Sequence, residues 1–174
     1  MNMQLKNAVT GKDHIQGIKT APLELVEYGD YQCPSCGESY LTLKNVQQQL
    51  GENLKFIFRN FPLAEHPDAF GAAMAAEAAA LQNKFWEMHD LLYDNQLYLG
   101  RDYLLGYAEN IGLNIDQFGE DLQSDALVAK IEADFQGGEQ SGVTGTPNFY
   151  INGKKYEGDW EGDGLIQYLE RLLQ

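Results

Sequence analysis

Both cysteines of the chain, Cys33 and Cys36, stand two residues apart in Tyr31-Gln32-Cys33-Pro34-Ser35-Cys36-Gly37, between a strand-like run and a helical pattern. A thiol pair at this spacing closes a disulfide within one helical turn and opens it again. It also serves as half of a metal site. The first use needs a helix start beneath the leading thiol, whereas the second needs further ligands.

Two cysteines in 174 residues are too few for a disulfide framework or a four-cysteine zinc site. His14, His66 and His89 are the only histidines, and no two form the His-x₃₋₅-His pair of a mixed site. A zinc-binding domain is therefore the lesser alternative, and no metal or cofactor is expected. The length suits one domain, and 44% hydrophobic with 11% aromatic residues is a globular composition. Twelve basic against 26 acidic side chains leave a net charge of −14, which repels phosphate backbones and argues against nucleic-acid partners. No apolar run reaches the roughly 18 residues that span a bilayer, so no membrane partner is expected. The segment Met1 to Asn7 carries one lysine and no apolar stretch, unlike a signal peptide. The expected location is cytoplasmic, or periplasmic or exported if a leader has been trimmed.

Leu23 to Tyr28 reads as a strand, ended by Gly29-Asp30. Its period of two puts Glu27 on the same face as Leu23 and Leu25, an acid in line with core residues. Glu38 to Leu50 reads as a helix with Tyr40, Leu43, Val46 and Leu50 on one side, and Leu54 to Phe61 as a second strand. Strand, helix, strand predicts a parallel pair with a right-handed crossover. Residues 1–20 read as an arm that lays a short strand on the domain.

From Pro67 to about Gln140 the spacing turns helical. Phe70, Met74, Ala78 and Leu81 form one stripe, Phe85, Met88 and Leu92 a second, and Leu104, Ala108 and Ile111 a third. Ile115 to Leu122 and Leu127 to Phe135 suggest two more helices. Asn148 to Ile151 returns to strand, Asn152-Gly153 signals a type I′ hairpin, and Lys154 to Tyr156 is the return strand. Asp163 to Leu173 closes the chain as a helix, with Leu165, Ile166, Leu169, Leu172 and Leu173 on one face. The fold class is α/β: one mixed sheet with helices on both faces, interrupted by a helical block.

Disulfide exchange is carried by a thiolate, so the leading cysteine needs a pKa below the free value of about 8.5. Cys33 falls at the strand-to-helix junction, where unpaired N–H groups and the helix dipole favour an anion. Pro34 fits the first helical position because its missing N–H would have had no partner. Cys36, one turn inside, suits a resolving thiol.

Glu27-Tyr28-Gly29-Asp30-Tyr31-Gln32-Cys33-Pro34-Ser35-Cys36-Gly37 resembles the active-site strand and helix start of the thioredoxin superfamily. The closer resemblance is to DsbA-like thiol-disulfide oxidoreductases, whose thioredoxin fold is interrupted by helices. Phe58-Arg59-Asn60-Phe61-Pro62-Leu63 with His66-Pro67, Lys84 to Asp90, and Gly142-Val143-Thr144-Gly145-Thr146-Pro147 add to it, over roughly residues 10 to 172. The resemblance implies a discontinuous thioredoxin-like domain of residues 1–65 and 141–174, with an all-helical subdomain at 66–140.

By the same resemblance Cys33 is the attacking thiol, Cys36 the resolving one, and Glu27 the buried carboxylate that moves the Cys36 proton. Pro147 is the cis-proline beside the disulfide, and Thr146 offers its backbone to an extended substrate chain. Protein thiols or disulfides are the implied substrates, together with a redox partner. Strongly oxidising relatives carry histidine where this chain has Ser35. A neutral hydroxyl there predicts a less depressed Cys33 pKa and a potential below the strong oxidant's value of about −120 mV. His66, Trp86 and His89 read as structural. A binding module that keeps the fold to hold unfolded chains or a partner protein is the rival reading.

Overall fold

The computed structural model describes residues 3–174. Its elements in order are β1 (His14–Gly17), β2 (Leu23–Gly29), α1 (Pro34–Leu50), β3 (Leu54–Asn60), α2 (Ala69–Ala80), α3 (Phe85–Asp94), α4 (Arg101–Asn110), α5 (Ile115–Asp121), α6 (Asp125–Gln140), β4 (Asn148–Ile151), β5 (Lys154–Tyr156) and α7 (Gly164–Leu172). The strands form one five-stranded sheet in the order β1-β3-β2-β4-β5. β2 and β3 are parallel, with Glu27 opposite Phe58, as expected for strands joined by a helix. β1, β4 and β5 join antiparallel, so the sheet is mixed.

Side-chain alternation along β2 divides the core. Leu23 and Leu25, with Phe56, Phe58, Phe149 and Ile151, pack beneath α1, α7 and the inserted helices. Val26 and Tyr28, with Ile57 and Tyr150, face Phe61, Val143, Leu5, Val9 and Phe135 on the other side. The first cluster runs without a break from the sheet into Met88, Leu92, Leu104 and Phe118 of the inserted helices.

The amino-terminal arm crosses the second face from edge to edge. Gln4 bridges Lys154 beside β5, while β1 pairs with β3 at the far edge. Arg59 fastens the middle: its guanidinium donates to Asp13 (2.8 and 3.1 Å), to the Asn7 and Ala8 carbonyls and to the Tyr28 hydroxyl. Asn152 and Gly153 turn the β4–β5 hairpin with φ values of 49° and 81°, the positive pair that a type I′ turn requires.

Two helical stripes differ from expectation. Phe70 and Leu81 of the first stripe are 38% and 59% exposed, while Ala72, Ala73, Ala75, Ala76, Ala78 and Ala79 are buried. α2 is alanine-rich enough to be enclosed by neighbours around most of its circumference. Close approach of small side chains, not the large ones, therefore sets its orientation. At the carboxyl terminus Leu172 and Leu173 are 45% and 38% exposed, where α7 ends.

Candidate active site

β2 and β3 both end at the same edge of the sheet, and the turn Asp30-Tyr31-Gln32 carries the chain from there into α1. In open α/β sheets the carboxyl ends of parallel strands are where binding sites form. Cys33 is the N-cap of α1, with extended backbone (φ −71°, ψ 122°), and Pro34 opens the helix. Pro34 and Ser35 are exposed, Cys33 retains 7% exposure and Cys36 none. One thiol thus reaches the surface and its neighbour does not.

The β2–β4 pairing sets Tyr28 opposite Asn148 and so delivers the preceding Thr146-Pro147 to the same place. The Thr146–Pro147 bond is cis. The Cys33 thiol points at the Thr146 carbonyl, with 3.6 Å between sulfur and oxygen. The Thr146 hydroxyl is buried without a hydrogen-bond partner, and its proximity favours the ionised Cys33 sulfur.

The two thiols have opposite electrostatics. Donation from the Cys36 thiol is the main influence on Cys33, opposed by burial and reinforced by the Thr146 hydroxyl and the Cys36 and Ser35 N–H groups. Together they bring Cys33 down to about 5. Burial pushes Cys36 well up, and the neighbouring charges of Cys33 and Glu27 add to it.

Glu27 lies on the core face of β2, 1% exposed. Burial raises its carboxyl to about 8, although a 3.4 Å hydrogen bond from the Ser39 hydroxyl favours the ionised form. Ser39 also donates to the Cys36 carbonyl at 3.0 Å, so a single hydroxyl touches both the acid and the backbone of the inner cysteine. The structure therefore gathers Cys33, Cys36, Glu27, Thr146, Pro147, Pro34 and Ser35 at one edge of the sheet.

Three further residues belong to this place without a site role read from the sequence. The Asp30 carboxylate is fully buried and accepts the N–H groups of Gln32 (2.7 Å) and Cys33 (3.2 Å). Its other oxygen takes the Leu63 N–H (2.8 Å) and His66 Nδ1 (2.7 Å). His66, read from sequence as structural, is thus bound directly to the cysteine loop. Gln96 donates to the carbonyls of Tyr31 (2.9 Å) and Cys33 (2.8 Å) from the α3–α4 connection. A Cβ on Gly37 would meet its amide, so glycine there lets the amide keep both hydrogen bonds without shifting.

His89 and Trp86 sit away from the thiols in the aromatic core. His89 Nδ1 is 2.9 Å from the Tyr31 hydroxyl, and complete burial pushes its pKa well down. Trp86 packs on Phe56 with ring centroids 5.6 Å apart. Among the described residues, no three His, Cys, Asp or Glu side chains converge as metal ligands.

A family model described as thioredoxin matches residues 9–171. Among curated proteins, the Na(+)/H(+) antiporter NhaA 1 of Mycobacterium sp. (strain KMS) is 41% identical over 162 residues, covering 91% of this chain. The antiporter NhaA of Herminiimonas arsenicoxydans is 35% identical over 158 residues. The chain spans about a quarter of the length of these relatives (26% and 25%). Among its own described residues, no helix is long and apolar enough to cross a membrane.

Solved structures repeat the fold. Oxidised BdbD from Bacillus subtilis superposes with a TM-score of 0.80 at 24% identity, covering 91% of each chain. The thiol-disulfide exchange protein alpha-DsbA2 from Wolbachia pipientis gives 0.79 at 21% identity, covering 93% of this chain and 88% of that one. The catalytic domain of Proteus mirabilis ScsC gives 0.78 at 19% identity, over 98% and 93%. With the family model matched over nearly its whole length, and a mixed sheet interrupted by helices, the chain belongs to the thioredoxin family and shares the fold of these structures.

Proposed function

We propose that this protein is a thiol-disulfide oxidoreductase whose Cys33/Cys36 pair exchanges with protein thiols and disulfides. The contrast between the two thiols carries the proposal. Cys33 is at the rim with its pKa held near 5, while Cys36 is sealed in the core with its pKa raised. At neutral pH the outer sulfur is the nucleophile and the inner one is a held-back thiol.

In the reducing direction the Cys33 thiolate attacks one sulfur of a substrate disulfide. A mixed disulfide forms and the other substrate sulfur leaves as thiolate. The ionised fraction of Glu27, a stronger base than an ordinary carboxylate because burial raises its pKa to about 8, takes the Cys36 proton, and Cys36 then attacks the Cys33 sulfur. The Cys33–Cys36 disulfide forms and the second substrate thiolate is released, so two electrons have passed from the protein to the substrate. The same steps in reverse oxidise a dithiol. The Thr146 backbone, beside the Cys33 sulfur, lines up an extended substrate chain by main-chain hydrogen bonding.

Direction follows the surroundings. In a reducing compartment the pair rests as dithiol and works as reductase or isomerase; an oxidising compartment reverses this. Insulin reduction by the wild type and by Cys33→Ser is the direct test. Loss of activity in Cys33→Ser is expected, and equal rates would leave the binding-module alternative standing. Cys36→Ser should trap substrates and the redox partner as mixed disulfides.

A further inference from the structure

We propose that Asp30 and His66 are a positioning pair for Cys33: the carboxylate fixes the cysteine loop, and the imidazole offsets the negative charge this places beside the sulfur. The pair deepens the thiol-exchange proposal and takes its functional meaning from it. Its effect on Cys33 can be measured independently of any substrate.

The geometry is that of a built junction. Four N–H donors from two separate loops converge on one fully buried carboxylate: those of Gln32 and Cys33 on one oxygen, those of Leu63 and His66 on the other. The Asp30 backbone carbonyl also accepts the Cys33 N–H, at 3.1 Å. That N–H is therefore committed to Asp30, which leaves the Ser35 and Cys36 N–H groups for the Cys33 sulfur. The arrangement orients the helix start and at the same time brings an acid close to an incipient thiolate. Like charges at such range disfavour each other.

His66 is the group that offsets this acid. Its side chain is 21% exposed, so it exchanges protons with solvent while Nδ1 holds Asp30 at 2.7 Å. The charged groups around it are Asp30 from the end of β2, Cys33 from the start of α1, and Glu65 from its own loop, all of which favour the imidazolium. The hydrogen bond to Asp30 is the largest influence, and burial opposes it. Asp68, which follows on the same loop, is itself tied to Gln32 across the junction. The imidazolium is thus the cation that faces both Asp30 and Cys33.

The test follows the pH dependence of Cys33 alkylation by iodoacetamide in the reduced full-length protein. Wild type is compared with His66→Gln, His66→Arg and the double variant Asp30→Asn/His66→Gln. Removing the imidazolium leaves the carboxylate uncompensated, so His66→Gln should move the Cys33 midpoint up by about half a unit or more. His66→Arg keeps a cation and should hold the midpoint near the wild type. The double variant removes both charges and should bring the midpoint back. A merely structural role would be lost in all three. Equal midpoints in wild type and His66→Gln, or a double variant no different from His66→Gln, would overturn the pair. If His66→Gln fails to fold, His66→Asn gives the same comparison. Inactivity of the wild type on insulin with these shifts present would count against the proposed function alone.

Discussion

The Cys33 sulfur lies 3.6 Å from the carbonyl oxygen of Thr146, which is 113 residues further along the chain. Two segments remote in sequence thus meet at the atom proposed to react. The thiol donates to that carbonyl when protonated. The Thr146 hydroxyl, buried and without a hydrogen-bond partner, is one of the groups that favour the ionised sulfur. Thr146→Val keeps the carbonyl and the shape but removes the hydroxyl. The Cys33 midpoint, read from thiolate absorbance, should rise by about half a unit to one unit. An unchanged midpoint would leave the hydroxyl without a role.

Glu27 predicts a pH-dependent stability. Its folded pKa of about 8 exceeds the ordinary value of 4.5, so the folded state retains a proton that the unfolded chain releases. The contribution of Glu27 to stability is therefore highest below about pH 4.5 and falls as pH rises towards about 8. Glu27→Gln removes that loss and should stabilise the protein by about 3 kcal/mol at pH 7, with no gain at pH 4. Denaturant titrations at the two pH values check this. The same variant should slow release of the mixed disulfide, because Cys36 loses its proton acceptor.

Ser35 is one of the two exposed positions between the thiols, and it presents no charge to the Cys33 sulfur. Ser35→His should lower the Cys33 midpoint below about 5 and make the disulfide a stronger oxidant, since a more stable thiolate favours the reduced form. Equilibration against glutathione should place the wild type below about −120 mV and the variant closer to it. A wild-type potential at or above that value would contradict the expectation.

Gly37→Ala should be costly for its position. The added Cβ would displace the Gln96 amide and break its hydrogen bonds to the Tyr31 and Cys33 carbonyls. A loss of about 1–3 kcal/mol is expected, with a lower Tm. Gln96→Ala should reproduce most of it, and an additive double variant would deny the coupling.

Much of this architecture could be read from local pattern. The alternation in β2, the helix start at Pro34, the Asn152-Gly153 hairpin and the helical spacing between β3 and β4 are short-range properties that the chain states residue by residue. Glu27 stood out because an acid broke the apolar face of its strand. Asp30, His66 and Gln96 gave no such signal, since their significance lies in partners that only the tertiary fold supplies. An aspartate after a glycine reads as a turn residue until four N–H groups are seen converging on it. The stripe through Phe70 and Leu81 failed for a related reason: alanines make α2 nearly apolar all round, and a helix with so little facial contrast does not announce which side faces in.

The pairing of Leu25 with Ile151 has a consequence for how the protein is made. During synthesis β2, α1 and β3 emerge first, and the whole of α2 to α6 must follow before β4 can take its place beside β2. Through that interval the nascent chain already carries both cysteines but not the loop that abuts Cys33. Such long-range closure is slow relative to local folding. The setting of the Cys33 sulfur is therefore completed late, and an incomplete chain ending before Thr146 holds a thiol pair without it.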